Sequence, residues 1–334
     1  MALSKYFNKF VSSHVGSLPL DYTPDGFKRA FHDMLKLGID VPPLPQLRDF
    51  ISMYLKPLLE AGLVQESGTV FKSSVEDLGN AARVTPYIEE VALSGDLLRE
   101  AKVSRIRVPV TGAFTLSSRI YLGDPSRGLR TTALANHELV LDSIASYLSN
   151  IVREAVKIQN AVIVIDEPVL GTVIGSRVTL LGYREEDVLE VYAKVLKPAR
   201  GLLRGTHVCG QVNERLISTL AESEAIDFLN HEFHDAPANL LLPWRKLLER
   251  SDKFLSPGVF STRSGEVESV DHIMNVALKV LDTVGVDRVN LFSGDCGLGG
   301  LRGVSRAYDL ALSKLNNLVK AVSELNLRYL SSLR

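Results

Sequence analysis

Cysteine and tryptophan are almost missing from this chain, which has two of the first and one of the second in 334 residues. Two cysteines cannot frame a disulfide-stapled miniature fold, and a chain of this length has core enough without a staple. Cys209 and Cys296 read better as two thiolates on one metal ion. Long apolar runs are missing as well. No stretch reaches the ~18 apolar residues that a membrane-spanning helix requires. Residues 1–18 mix Lys5 and Lys9 with polar positions where a secretion signal would be apolar. A cytoplasmic protein is the expectation. Charge of one sign is not in excess: 38 Lys and Arg face 39 Asp and Glu, for a formal net charge of −1. No global field gathers nucleic acid or an anionic membrane. Repeats of 20–50 residues and low-complexity tracts are absent too.

What remains is an ordinary globular composition, 46% hydrophobic and 23% charged, long enough for two average domains or one large α/β barrel. Short Val- and Ile-rich runs alternate with helix-like stretches, the pattern of a parallel sheet with crossover helices. Strands are predicted near 10–15, 38–41, 106–111, 162–166, 203–209, 226–232, 254–259 and 288–293. Helices are predicted at 136–156, 185–197 and 270–283, the last ended by Gly285. Eight such units suggest a (β/α)8 TIM barrel spanning 1–334, with an insertion or lid within 42–101. An open doubly wound sheet is the alternative.

The chemistry-bearing residues fall at predicted strand ends, where barrel enzymes carry their active sites. In Thr206-His207-Val208-Cys209 the His and Cys are two apart, so a strand projects both from one face. Zinc accepts imidazole, thiolate and carboxylate ligands, and Glu232 and Cys296 end two further strands. Glu232 and His234 share one face and His231 takes the other; His234 is a neighbour of the ligand set or a competitor for it. The carboxylates of Asp166-Glu167 read either as a receptor for an ammonium group or as a trap for backbone donors. The Val15-Gly16-Ser17 turn offers N–H groups and a hydroxyl to a carboxylate, or is simply a tight turn. His14 beside it is a candidate for the mouth, whereas His32, His137 and His272 lie in helix-like stretches. The loop from Gly297 to Gly303 looks like a phosphate loop but lacks the lysine; it reads as a turn that frees Cys296.

On these residues the chain resembles the catalytic barrel of cobalamin-independent methionine synthase. The matching segments are His14-Val15-Gly16-Ser17-Leu18-Pro19, Thr111-Gly112, Ile165-Asp166-Glu167-Pro168, Thr206-His207-Val208-Cys209, Phe228 to Glu232, Pro257-Gly258-Val259 and Asp295-Cys296-Gly297-Leu298. The long members carry a second, N-terminal barrel that helps hold folate, so this chain looks like a short, single-barrel member. The resemblance implies a zinc ion on His207, Cys209, Glu232 and Cys296. It also implies L-homocysteine held through its carboxylate at Val15, Gly16 and Ser17 and through its ammonium at Asp166. Asp166 and Arg263 are the candidate catalytic side chains.

Departures from the family pattern bear on the methyl donor. The segment after Thr111-Gly112 lacks the folate-stacking tryptophan, and a glutamate used by long members for homocysteine is absent from Pro43-Leu44-Pro45-Gln46-Leu47-Arg48. Where the long members place a histidine after the Gly-Val pair, this chain reads Phe260-Ser261-Thr262-Arg263. Methyl-folate leaves as an amine that must be protonated, and an arginine with pKa above ~12 is a poor acid. The expected donor is a methylcorrinoid, on a partner protein, or another non-folate carrier; methyl-folate with a polyglutamate tail is the alternative. Other readings are a coenzyme M-type thiol as acceptor, a decarboxylase resembling uroporphyrinogen decarboxylase, and a zinc-stabilised module that only binds a partner.

Overall fold

The computed structural model describes residues 6–101 and 103–330. Its parallel pairings run around a closed ring. Val11–Ser12 leads through the bridge Ser13↔Val41 to a second segment, and Pro43↔Arg107 joins that segment to Ile106–Thr111. Ala161–Asp166, Arg204–Val208, Phe228–Glu232 and Phe254–Gly258 follow in register. Bridges Leu255↔Val289 and Gly258↔Ser293 then reach Leu291–Phe292, which pairs back on Val11–Ser12. This is the expected barrel, with every predicted strand region in its ring. The second segment pairs at Val41 and Pro43, later than predicted, for a local reason. Gly38 is consumed by the preceding helix, whose end it caps at φ +79°.

That helix, Pro24–Leu37, shows how the outer layer forms. The Thr23 hydroxyl accepts from Gly26 N–H at 2.8 Å, proline opens the first turn, and Phe27, Ala30, Phe31 and Met34 form one buried stripe. The predicted helix over 136–156 starts as a wide π-turn, Leu139–Ile144, and continues as Ala145–Ala155. Glu185–Leu196 and Val270–Val284 lie where expected, and Ala307–Leu330 packs along Pro24–Leu37 and Val270–Val284. Residues 44–105, between the second and third strand positions, hold helices Phe50–Glu60 and Glu89–Ala101 around the hairpin Gln65–Ser67/Val70–Lys72. They are tied to the barrel: Tyr54 donates to the Pro109 carbonyl and receives the Tyr147 hydroxyl on its own carbonyl at 2.7 Å.

Strand alternation divides the residues between two cores. Ile163 and Ile165 face the helices, while Val162 and Val164 join Val11, Val41, Leu203, Phe228, Phe254 and Leu291 to fill one end of the barrel. Above this apolar floor the interior turns polar. The Arg107 guanidinium donates to Asn230 at 3.0 Å, and Asn230 donates to the Ser256 carbonyl at 2.6 Å and to Ser293 Oγ at 3.2 Å. Gly205 makes room for the floor, because a Cβ there would lie 2.4 Å from the Phe228 ring. Gly205→Ala should therefore destabilise the fold by about 1–3 kcal/mol through overpacking. Urea unfolding would show it, and an unchanged midpoint would mean that Phe228 can turn aside.

Candidate active site

His207 is the last but one residue of the fifth strand, Arg204–Val208, with its ring inside the barrel, and Cys209 follows two residues later on the same face. His207 Nε2 lies 3.0 Å from Cys209 Sγ, and Cys209 Sγ lies 3.0 Å from Cys296 Sγ. The three ligand atoms all fall within 4.8 Å of one another. Neither cysteine is in a disulfide. Cys296 is held well below the ordinary thiol range by the bond with Cys209 and by His207, and Cys209 is pushed up by the same bond and by burial. A nitrogen and two sulfurs converging from two strand ends form a donor set suited to zinc.

Close approach of two loops makes that convergence possible. A Cβ on Gly297 would lie 2.0 Å from Ser17 Oγ, so glycine lets the loop after Cys296 rest on the Val15–Ser17 turn. Leu298 N–H donates to the Ser17 carbonyl at 2.9 Å and Gly299 N–H to Ser17 Oγ at 3.1 Å. The glycine-rich segment thus serves as a turn that presents Cys296. His14 is fully buried behind it, with Nε2 bonded to the Ser17 carbonyl at 2.9 Å, and burial lowers its pKa to about 4.

Glu232 is placed beside the sulfurs but turned elsewhere. Its carboxylate is buried and meets Arg263 Nη2 at 2.9 and 3.2 Å, while that arginine is largely exposed. Burial raises the pKa of Glu232, against the pull of a Gly210 backbone bond and Arg263. The structure therefore gathers three of the four expected ligands into one group and gives the fourth an arginine partner. The physical reason is charge: a buried carboxylate demands a cation, and Arg263 is the one that reaches it.

The two acidic neighbours at the end of the fourth strand split their roles. Glu167 captures backbone donors, accepting from Phe114 N–H at 3.0 Å, Thr115 N–H at 2.9 Å and Thr115 Oγ1 at 2.7 Å. Asp166 points into the barrel. It is 6% exposed, its Oδ1 has no hydrogen-bond partner, and burial pushes its pKa up to about 6 against His207 and Arg107. Arg107 Nη2 stands 3.8 Å away, completely buried. His231 faces outward as predicted, against the lone tryptophan, Trp244, at 5.4 Å between ring centroids.

Several positioning residues carry no mark of their role in the sequence. Arg107 could have been found as a charge in an otherwise apolar strand. Asn239 binds Val212 N–H at 3.0 Å and donates to the carbonyls of Gly210 and Glu232 at 3.1 and 2.7 Å, knitting two ligand-bearing strand ends together. No pattern marked it. Asp295 accepts from the backbone N–H groups of Phe233, His234 and Asp235 at 3.1, 3.2 and 2.6 Å, and so fixes the loop after Glu232. Above the sulfurs opens a cavity of about 610 Å³, lined among others by Ser17, Gln46, Phe50, Cys209, Arg263 and Cys296.

Residues 130–324, more than half of the chain, match the family described as the catalytic domain of cobalamin-independent synthase. The chain belongs to that family. By this membership it is a methionine synthase-like methyltransferase, as the motifs suggested. Among solved structures, it is similar to a B12-independent methionine synthase from a Shewanella species, crystallised with selenomethionine. The TM-score is 0.66 at 16% identity, covering 97% of this chain and 99% of that one. A methyltransferase from Methanosarcina mazei gives 0.66 at 16% identity over 96% and 95% of the two chains. At such identities the likeness is one of fold. No curated protein matches the sequence. Among the described residues, no helix is long and apolar enough to cross a membrane.

Proposed function

We propose that the protein transfers a methyl group to the thiol of L-homocysteine, forming L-methionine, at a zinc ion held by His207, Cys209, Cys296 and Glu232. The observation that supports this most is the single nitrogen and two sulfurs within 4.8 Å of one another, beneath an open cavity at the barrel mouth. Zinc bound there would lower the pKa of an incoming thiol, ordinarily ~8.5, so that a sulfur nucleophile exists at neutral pH.

The chain's own residues do the rest. Asp166, whose Oδ1 accepts no hydrogen bond and meets only the Arg107 guanidinium at 3.8 Å, receives the substrate ammonium. The Val15–Ser17 turn, pinned by Leu298 and Gly299, receives the carboxylate. Glu232 would complete the zinc shell, and Arg263, its observed partner, would compensate its charge when it is not a ligand. Holding both reactants in line is the main source of acceleration for a displacement at carbon.

Arg263 also bears on the donor. It is permanently charged and cannot deliver the proton that a departing folate amine needs. A methylcorrinoid needs none: the carbon–sulfur bond forms as the cobalt–carbon bond breaks, and the electron pair stays on cobalt. The donor is therefore read as a methylcorrinoid, carried on a partner protein that docks over the cavity.

Zinc content and a donor screen test this. The purified protein is expected to retain one zinc through gel filtration. It should methylate homocysteine faster from methylcobalamin than from methyl-tetrahydrofolate, whatever the glutamate tail. Equal or better turnover on folate would overturn the donor assignment, and a protein without zinc would overturn the site.

A further inference from the structure

A second cluster lies on the rim, outside the group that converges on Cys296. His234 Nε2 and His272 Nε2 face each other at 3.0 Å. His234 belongs to the loop after the sixth strand, and His272 to the first turn of Val270–Val284, where Ser269 Oγ accepts the His272 backbone N–H at 3.2 Å. His234 Nδ1 meets Asp235 Oδ1 at 2.8 Å, and the other oxygen of that carboxylate accepts Ser261 Oγ at 2.8 Å. The carboxylate places the proton on Nδ1, which leaves the Nε2 lone pair aimed at His272. A carboxylate–imidazole pair of this kind is the usual outer support of a histidine that binds metal. The loop is stiff as well, since the buried Asp295 holds three of its consecutive N–H groups.

We propose that His234 and His272 form a separate binding site for a late first-row divalent cation. With metal–nitrogen bonds of about 2.1 Å, a separation of 3.0 Å corresponds to an angle of roughly 90° at the metal, the cis angle of an octahedral ion. Nickel and cobalt suit imidazole and that geometry, and both histidines reach solvent, so water completes the shell. The segment between the two histidines carries Ser261 and Arg263. An ion bridging its ends would fasten the part of the rim that presents Arg263 to Glu232. The site makes no use of the cysteines and does not depend on the methyl-transfer reading.

Nickel titration of the untagged protein as purified tests it, read by calorimetry and by paramagnetic broadening of the histidine ring signals. The expected result is one nickel equivalent, with the His234 and His272 signals broadened first. His272→Asn and His234→Asn should each weaken that binding at least ~10-fold, while the double variant Cys209→Ser/Cys296→Ser should keep it. No nickel binding, equal binding by both histidine variants, or loss of binding with the cysteines would each overturn the proposal. In those cases the two rings share an N–H···N hydrogen bond and nothing more.

Discussion

Cys296→Ser is expected to lower kcat/KM for homocysteine methylation at least ~10³-fold and to strip the protein of tightly held zinc. The sulfur lies 3.0 Å from Cys209, and the bond with Cys209 and the neighbouring His207 pull its pKa below the ordinary thiol range, which favours the thiolate that a metal binds. A serine hydroxyl of the same shape stays protonated at neutral pH and is a poor zinc ligand, so metal affinity and thiol activation fall together. The fold should survive. Cys296 is only partly buried, and its loop is held by Leu298 and Gly299 bonding to Ser17, contacts that do not involve the sulfur. Circular dichroism and the unfolding midpoint should therefore be close to those of the parent while zinc content drops. Cys209→Ser should behave alike. Activity within tenfold of the parent, in a variant shown to be zinc-free, would place the thiol chemistry elsewhere in the molecule.

Strand ends were the legible part of this sequence, and the reason is geometric. In a parallel barrel each strand is buried on both faces, so it reads as an apolar run that stops abruptly at a polar residue. Asp166 after Ala161–Ile165 was visible for that reason, whereas Glu232, which follows Asn230 and His231, stood out only beside His207-Val208-Cys209 and Cys296; the structure sets both at strand ends. Which carboxylate does what was not legible. Asp166 and Glu167 are neighbours with identical chemistry, and only the alternation of the folded strand sends one inward and the other to the Phe114 and Thr115 N–H groups. The Glu232–Arg263 pair was hidden by the distance between the two residues along the chain. Arg263 was singled out for lacking a transferable proton, whereas its observed contact is with a carboxylate.

The residues that the sequence concealed share a property: they satisfy other residues. Asn239 binds three backbone groups of two strand ends, and Arg107 serves Asn230 and stands near Asp166. Such roles follow from three-dimensional neighbours and leave no periodic trace. Arg107 nevertheless explains how the barrel tolerates so much negative charge near one point. Cys296, Asp166 and Glu232 are all anionic candidates, and burial raises the pKa of both carboxylates. One guanidinium beneath them and one above oppose that cost without closing the cavity.

Asp166→Asn tests the amino-acid end of the site. The substitution keeps the shape and removes the charge, so the expected loss is of ammonium recognition, with zinc content unchanged. A charge-assisted hydrogen bond contributes ~1.5–3 kcal/mol, and leaving one partner of a buried charge pair alone costs more. Together these predict that kcat/KM for homocysteine falls ~10²–10³-fold, mainly through KM. A second substrate separates recognition from general damage. 4-Mercaptobutyrate is homocysteine without its amino group; the parent enzyme should disfavour it by a similar factor, and the asparagine variant should treat the two thiols nearly alike. The expectation is motivated by Asp166 Oδ1, which accepts no hydrogen bond and has Arg107 Nη2 no nearer than 3.8 Å, because a buried carboxylate oxygen is rarely left without a hydrogen-bond donor. If the variant still prefers homocysteine by two orders of magnitude, the ammonium is received elsewhere. Asp166 would then act chiefly as a counter-charge for Arg107.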